Sequence, residues 1–194
     1  MTSRRNGFWA ITAIVFMSVL TIAGQGKAQA QRTMNRQGYL TVSGYSALSG
    51  GCNYGGEIQW GKYMLSSLWR IEASAGELSK GLKTSHILKT CNVTLGGSYM
   101  HRLVSSRSRS VSLYAGGGVF IGYEFYDPSG SLPEYINTGL PSGSFLYGIH
   151  GGIEGEFFFT RQTALVIYAN IPVNFSSPIQ KVRYKLGAGV RINL

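Results

Sequence analysis

The last thirteen residues, 182–194, alternate between apolar and polar side chains without an exception. Successive side chains of a β-strand point to opposite faces, so one face of this segment is apolar and the other is polar. A strand of a soluble two-sheet sandwich can show the same pattern. A chain that ends on such a strand is more typical of an outer-membrane barrel, whose apolar face meets lipid and whose polar face meets the lumen.

Seven earlier segments show strand patterns bounded by turn-forming residues, which gives eight predicted strands. Each is about 9–16 residues long, and about 9–11 residues suffice for a tilted strand to span a bilayer. The predicted fold is therefore all-β, an eight-stranded antiparallel transmembrane barrel of the outer membrane, formed by residues 31–194. The predicted strands are 39–48, 54–63, 68–76, 88–100, 111–125, 144–159, 164–173 and 182–194.

The first thirty residues carry the pattern of an export signal. Arg4 and Arg5 precede an apolar run over 8–23, and the small-x-small sequence Ala28-Gln29-Ala30 follows it. This arrangement predicts a signal peptide over residues 1–30 that is cleaved after Ala30. The alternative is an uncleaved membrane anchor, but the run is short for the ~20 residues that a spanning helix needs.

The polar faces of the predicted strands carry acids and bases in similar numbers. The interior of an eight-stranded barrel is just wide enough for side chains to fill it, and charges buried there must be paired. We therefore predict an ion-paired lumen and no open channel, with inward glycines such as Gly148 and Gly187 leaving room for long Arg and Glu side chains. The candidate residues are Glu57, Arg70, Glu72, Glu124, His150, Glu154, Glu156, Arg183, Lys185 and Arg191.

The lengths of the connections predict which way the barrel faces. With both termini in the periplasm, the inner turns would be 61–67, 102–110 and 160–163, and the long 126–143 segment would be an external loop. Residues 77–85 form a further polar connection on the outer side. The inner turn at 102–110 is basic through Arg102, Arg107 and Arg109. It is either a solvated turn or a contact with lipid headgroups or another subunit.

The sequence contains two cysteines, Cys52 and Cys91. An exported protein is free to form a disulfide, but the bond requires Cα atoms within ~7 Å of each other. The predicted strands place both cysteines towards the outer rim on strands that are not neighbours. A Cys52–Cys91 disulfide and two free thiols therefore both remain open.

The charge balance fits a membrane protein better than a nucleic-acid-binding one. Charged residues make up 13% of the chain, compared with ~25% in soluble domains. The net charge of +10 falls by three to +7 when Arg4, Arg5 and Lys27 are removed with the signal peptide. No basic stripe is interleaved with stacking aromatic residues, so we expect contact with anionic lipid headgroups and no direct binding of nucleic acid.

The sequence shows no constellation of residues that indicates catalysis. The three histidines, His86, His101 and His150, have no metal-binding spacing, and His150 lies too far along a strand from Glu154 to pair with it. The Gly116–Gly118 run does not continue as a phosphate-binding loop. We expect no catalytic residues, no cofactor and no metal site, although some small outer-membrane barrels are lipid-modifying enzymes.

Three glycine- and aromatic-rich segments resemble a known family. They are YAGGGVFIGYE at 114–124, FLYGIHGGIEGE at 145–156 and LGAGVRIN at 186–193. They look like the conjugal transfer protein TraO family of Bacteroides-type conjugative transposons. The resemblance covers roughly 113–194 well and 32–110 less clearly.

The resemblance implies a structural role in a type IV secretion-like apparatus that transfers DNA between cells. The implied partners are outer-membrane lipid and other subunits of that apparatus, and the family brings no catalytic residues. The alternative function is a small outer-membrane barrel for adhesion or envelope integrity, unrelated to conjugation.

Overall fold

The computed structural model describes residues 36–48, 53–81, 87–106, 110–126, 143–177 and 180–194. The predicted signal peptide over 1–30 lies outside these residues. No helix in the described ranges is long and apolar enough to cross a membrane. The strands are β1 (Gly38–Ala47), β2 (Tyr54–Tyr63), β3 (Ser67–Gly81), β4 (Ile87–Ser105), β5 (Val111–Tyr126), β6 (Gly143–Phe158), β7 (Thr163–Asn174) and β8 (Lys185–Asn193).

Each strand pairs antiparallel with the next, and β1 closes the sheet by pairing with β8. Tyr39 of β1 lies opposite Gly61 of β2 on one side and opposite Asn193 of β8 on the other. A continuous ladder of this kind leaves no edge strand, in contrast to a two-sheet sandwich. The predicted eight-stranded antiparallel barrel is confirmed and the sandwich is excluded.

Both described termini lie at one end of the barrel, which we call the inner end. The amide of Arg36 donates to the carbonyl of Tyr63 at 2.8 Å, and the amide of Leu194 donates to the carbonyl of Gly38 at 2.9 Å. The strand ends joined by the short connections 64–66, 106–110 and 159–162 lie at this end, and the strand ends joined by the other connections lie at the opposite, outer end. The strand ends are therefore divided between the two ends of the barrel as the sequence predicted.

Two strands are longer than predicted. β3 continues to Gly81 through a segment that was predicted to be a polar connection, and its last residues pair with the start of β4. β4 continues to Ser105, so Arg102 lies on a strand and not in a turn. The ladder shifts register between Arg102 and Val104, which indicates a β-bulge.

β8 begins at Lys185, three residues later than predicted, because a proline interrupts its ladder. When the register of the β7–β8 ladder is continued past the pair of Asn170 and Lys185, Pro172 lies opposite Arg183. Proline has no N–H to donate to the ladder. The amide of Arg183 still donates to the carbonyl of Pro172 at 3.0 Å, and Val173 pairs with Val182 as an isolated bridge. The alternation of 182–184 therefore continues the strand pattern, although these residues lie outside the regular ladder.

The exterior of the barrel is apolar and the interior polar, as the alternation predicted. Ile153, Ile167 and Ile192 are 52%, 49% and 48% exposed, whereas Glu154 and Arg191 are fully buried. Apolar side chains cover the outward face, which suits contact with hydrocarbon.

Outward-facing aromatic residues gather near both ends of the barrel. On β6, Tyr147 and Phe157 are about 33 Å apart along the strand, which corresponds to about 25 Å along the axis of a barrel with ~40° tilt. This height matches the apolar band of an outer-membrane barrel. The outer group is Tyr54, Tyr123, Phe125, Phe145, Tyr147, Phe175 and Tyr184, and the inner group is Trp60, Trp69, Tyr99 and Phe157.

Candidate functional site

The structure places nine of the ten predicted charged and histidine residues on the inward faces of the strands, and Arg183, just before β8, is buried in the lumen as well. Eight of the ten are buried, and Glu72 and Lys185 are partly exposed to the lumen. β6 contributes three of the ten, and β3 and β8 contribute two each. The strand alternation that makes the outside apolar therefore brings these polar residues together inside.

Glu154 of β6 lies at the centre of the interior network. Its carboxylate contacts Nη1 of Arg70 from β3, and its other oxygen lies 2.7 Å from Nη2 of Arg191 from β8. Nη1 of Arg191 lies 3.1 Å from the carboxylate of Glu156. These ion pairs join strands that are not neighbours: the Arg70–Glu154 pair crosses the lumen from β3 to β6, and the Arg191 pairs join β8 to β6 past β7.

Neutral polar groups accept hydrogen bonds from further donors of the two arginines. Nε of Arg70 donates to the hydroxyl of Ser98 at 2.8 Å, and Nε of Arg191 donates to the hydroxyl of Thr41 at 2.9 Å. Oε1 of Gln59 accepts a bond from Arg70 at 3.2 Å. A buried ion pair is stabilised when its other donors are bonded, and these groups bond Nε of both arginines, whereas Nη2 of Arg70 is buried without a hydrogen-bond partner.

An aromatic layer lies between the network and the inner end. Tyr39, Tyr63, Leu68, Met100 and Tyr114 form a buried apolar cluster. The hydroxyls of Tyr63 and Tyr114 donate to Glu156, and the guanidinium of Arg191 lies 4.1 Å from the ring centre of Tyr39.

This layer was missed at the level of the sequence, although the alternation already contains the signal for it. Tyr114 falls on the same face of β5 as Glu124, which was predicted to point inwards. A tyrosine on a polar face has an apolar ring to bury and a hydroxyl to bond, so it belongs with the filling of the lumen.

Two of the inward glycines, Gly148 and Gly187, make room for aromatic rings, so the prediction that they leave room for Arg and Glu side chains is wrong at these positions. A Cβ at Gly148 would lie 2.8 Å from the ring of Phe120. A Cβ at Gly187 would overlap the ring of Tyr168. At these two positions the absence of a Cβ leaves space for the ring.

The outer half of the interior holds a small polar cavity of about 30 Å³. By the ~10–15 Å³ that one water needs, this volume has room for about two water molecules. His150 Nε2 lies 3.3 Å from the carboxylate of Glu72, and the ammonium of Lys185 lies 4.5 Å from the ring centre of Tyr45. The lining residues are Glu57, Glu72, Ser74, Asn92, Thr94, Phe120, His150, Asn170, Pro172, Asn174, Arg183 and Lys185.

A second ion pair lies near the outer end of the lumen. Nη2 of Arg183 contacts Oε1 of Glu124, and the hydroxyl of Ser177 donates to Oε2 of Glu124 at 3.0 Å. Ser177 belongs to the connection between β7 and β8, so this pair fixes that connection to β5. Ion pairs and aromatic rings thus fill the described lumen at successive levels.

The remaining predicted residues lie away from this network. Cys91 points outwards from β4, and Cys52 lies outside the described residues, so the disulfide stays a prediction. Nη2 of Arg102 donates to the carbonyl of Leu65 at 2.6 Å, which links β4 to the turn after β2. Arg107 and Arg109 also lie outside the described residues. Within the described ranges, no three His, Cys, Asp or Glu side chains gather as metal ligands.

Comparison with solved structures shows the same fold in outer-membrane barrels. Neisserial surface protein A is 16% identical, with a TM-score of 0.60 over 81% of this chain and 97% of that chain. A major outer membrane protein from Thermus thermophilus is 13% identical, with a TM-score of 0.55 over 81% and 99%. The N-terminal β-barrel domain of Pseudomonas aeruginosa OprF is also 13% identical, with a TM-score of 0.54 over 82% and 98%.

The comparison with curated proteins finds no match. The sequence profile described as "Conjugative transposon protein TraO" matches residues 29–194, which include every described strand. The match extends over 32–110 as well, where the resemblance was less clear. The chain therefore belongs to the conjugative transposon protein TraO family.

Proposed function

We propose that this protein is an outer-membrane component of the apparatus that transfers a conjugative transposon between bacteria, with a structural, docking role and no catalytic activity. The observation that carries the proposal is the family match over residues 29–194, which spans the whole barrel. The apolar exterior and the outer and inner groups of outward-facing aromatic residues support a position in the outer membrane. Export by a signal peptide cleaved after Ala30 is part of the proposal.

The filled lumen supports docking and not conduction of DNA through this barrel. Arg70, Glu154 and Arg191 cross the lumen, and the layer around Tyr39 and Tyr63 fills it below them. Since an eight-stranded barrel is just wide enough for its own side chains, a nucleic acid strand has no room beside them. The barrel would contribute by holding partner subunits of the apparatus at the membrane.

The experiment is a deletion of the gene in a donor strain followed by complementation. We expect transposon transfer to fall to the level of a donor that lacks an essential transfer gene, and the intact gene to restore it. Co-purification from detergent-solubilised membranes would then identify the subunits that the barrel contacts. Undiminished transfer combined with altered adhesion or detergent sensitivity would instead support a role in adhesion or envelope integrity.

A further inference from the structure

Three aromatic side chains lie side by side on the outer surface near the inner end. Trp60 of β2 and Trp69 of β3 make an edge-to-face contact with ring centres 5.4 Å apart. Tyr99 of β4 lies directly opposite Trp69 in the ladder. Together they form an aromatic platform across three neighbouring strands.

Two basic side chains border this platform on the side of the inner end. Lys62 is the next outward residue after Trp60 and lies directly opposite Trp69. His101 is the next outward residue after Tyr99. Both are exposed, and neither forms an ion pair within the described part of the chain. We call Trp60, Lys62, Trp69, Tyr99 and His101 the inner-rim cluster.

The exposed charged side chains at the inner end of the barrel all carry positive charge. The exposed charged side chains described there, Arg36, Lys62 and Arg161, are all basic. The acids of the inner half, Glu154 and Glu156, are fully buried and bound to arginines. This surface therefore favours an anionic ligand.

The level of the cluster along the barrel indicates what kind of anion reaches it. On other strands, at a similar distance from the inner end, the outward residues are apolar, namely Leu113, Leu165 and Ile192. Apolar residues at that level suit contact with hydrocarbon, which places Lys62 and His101 near its boundary with the headgroups. Aromatic rings and lysines that reach towards the headgroups are favoured at such a boundary. A water-soluble acidic protein would have to displace lipid to reach the same side chains.

We propose that the inner-rim cluster is a binding site for one anionic phospholipid of the periplasmic leaflet. The ammonium of Lys62 and the imidazole of His101 hold the phosphate, and the glycerol and upper acyl chains lie over Trp60 and Trp69. The site is confined to β2, β3 and β4, so it gives one side of the barrel a preferred lipid. It is independent of the proposed function in conjugation.

The test is native mass spectrometry of the purified full chain with phosphatidylglycerol or phosphatidylcholine of the same acyl chains. We expect phosphatidylglycerol to bind in preference, and the double variant Lys62→Gln, His101→Gln to lose about fivefold in this binding. Lys89→Gln, which removes an exposed lysine at the outer end, is the matched control and should behave as the parent. Heat-dependent migration in gels reports whether each variant keeps its barrel.

Two results would overturn the proposal. One is equal binding of the two lipids by the parent chain, and the other is unchanged phosphatidylglycerol binding by the folded double variant. Excess inorganic phosphate should not displace the lipid, and full displacement would indicate a site for free anions instead. If the double variant fails to fold, the parent chain still gives a readout, since Trp60 and Trp69 are the tryptophans after residue 30. Their fluorescence should be quenched more by nitroxide-labelled phosphatidylglycerol than by labelled phosphatidylcholine, and equal quenching would contradict the site.

Discussion

Glu154 ties together three strands that have no ladder in common. Its two oxygens contact Arg70 of β3 and Arg191 of β8, and all three side chains are fully buried. Removing one member of such a group leaves the other charges buried without compensation, which costs more than the intact group contributes. The interior should therefore be sensitive to the loss of Glu154.

We expect Glu154→Gln to lower the free energy of unfolding by about 3–5 kcal/mol, because the substitution removes the negative charge that Arg70 and Arg191 both contact. Urea unfolding in lipid vesicles, followed by tryptophan fluorescence, measures the loss. Glu77→Gln is the control, since Glu77 forms an exposed pair with Lys89 at 4.0 Å and should contribute less than ~1 kcal/mol. Equal losses for the two variants would show that the interior pairs are not structural.

Glycines on opposite faces of the wall should differ in their tolerance of a methyl group. A Cβ at Gly118 would lie 2.7 Å from the backbone Cα of Ser98, which cannot move without distorting β4. We expect Gly118→Ala to cost about 1–3 kcal/mol by overpacking. At Gly151 the nearest atom to a new Cβ is 3.7 Å away, so Gly151→Ala should be close to neutral in the same unfolding assay. If Gly118→Ala left the free energy of unfolding unchanged, the close contact between β5 and β4 at this position would not limit side-chain size.

At the level of strands, alternation predicted which face of each strand is buried, and the structure confirms it for β2 and β8. It did not predict where β3 and β4 end, because residues 77–81 are polar and their pairing with the start of β4 depends on tertiary contacts. Nor could it pair Arg70 with Glu154, which are 84 positions apart, since that contact depends on how the barrel closes. The local sequence pattern determines which face of each strand is buried, whereas the closing of the barrel determines which side chains meet across the lumen.

Pro172 makes the β7–β8 seam the weakest part of the ladder near the outer end. In a hydrogen-bonded antiparallel pair the two residues exchange two bonds, but Pro172 and Arg183 share only the bond of 3.0 Å from the arginine amide. We expect Pro172→Val to supply the missing donor and to extend the regular ladder beyond Asn170. Hydrogen–deuterium exchange should then become slower at the amides of 181–184, with no change at the β1–β2 seam. Unchanged exchange would show that the seam is limited by something other than the proline.

At the scale of the whole molecule, the lengths of the connections and the position of the termini orient the barrel. The short turns share one end with both described termini, and outer-membrane barrels place short turns in the periplasm. The inner-rim cluster would then face the periplasmic leaflet, and the Glu124–Arg183 pair would lie near the cell surface. The orientation is therefore the premise on which the lipid proposal depends.

Cysteine labelling of intact cells tests this orientation directly. In a background with Cys52→Ser and Cys91→Ser, we expect Lys181→Cys at the outer end to react with a membrane-impermeant maleimide. Leu65→Cys, in the turn between β2 and β3, should react only after the outer membrane is permeabilised, although its side chain is 78% exposed. Both positions are exposed in the barrel, so a difference in labelling reports the side of the membrane and not burial. The reverse pattern would place the short turns at the cell surface, and the inner-rim cluster would then face the outer leaflet.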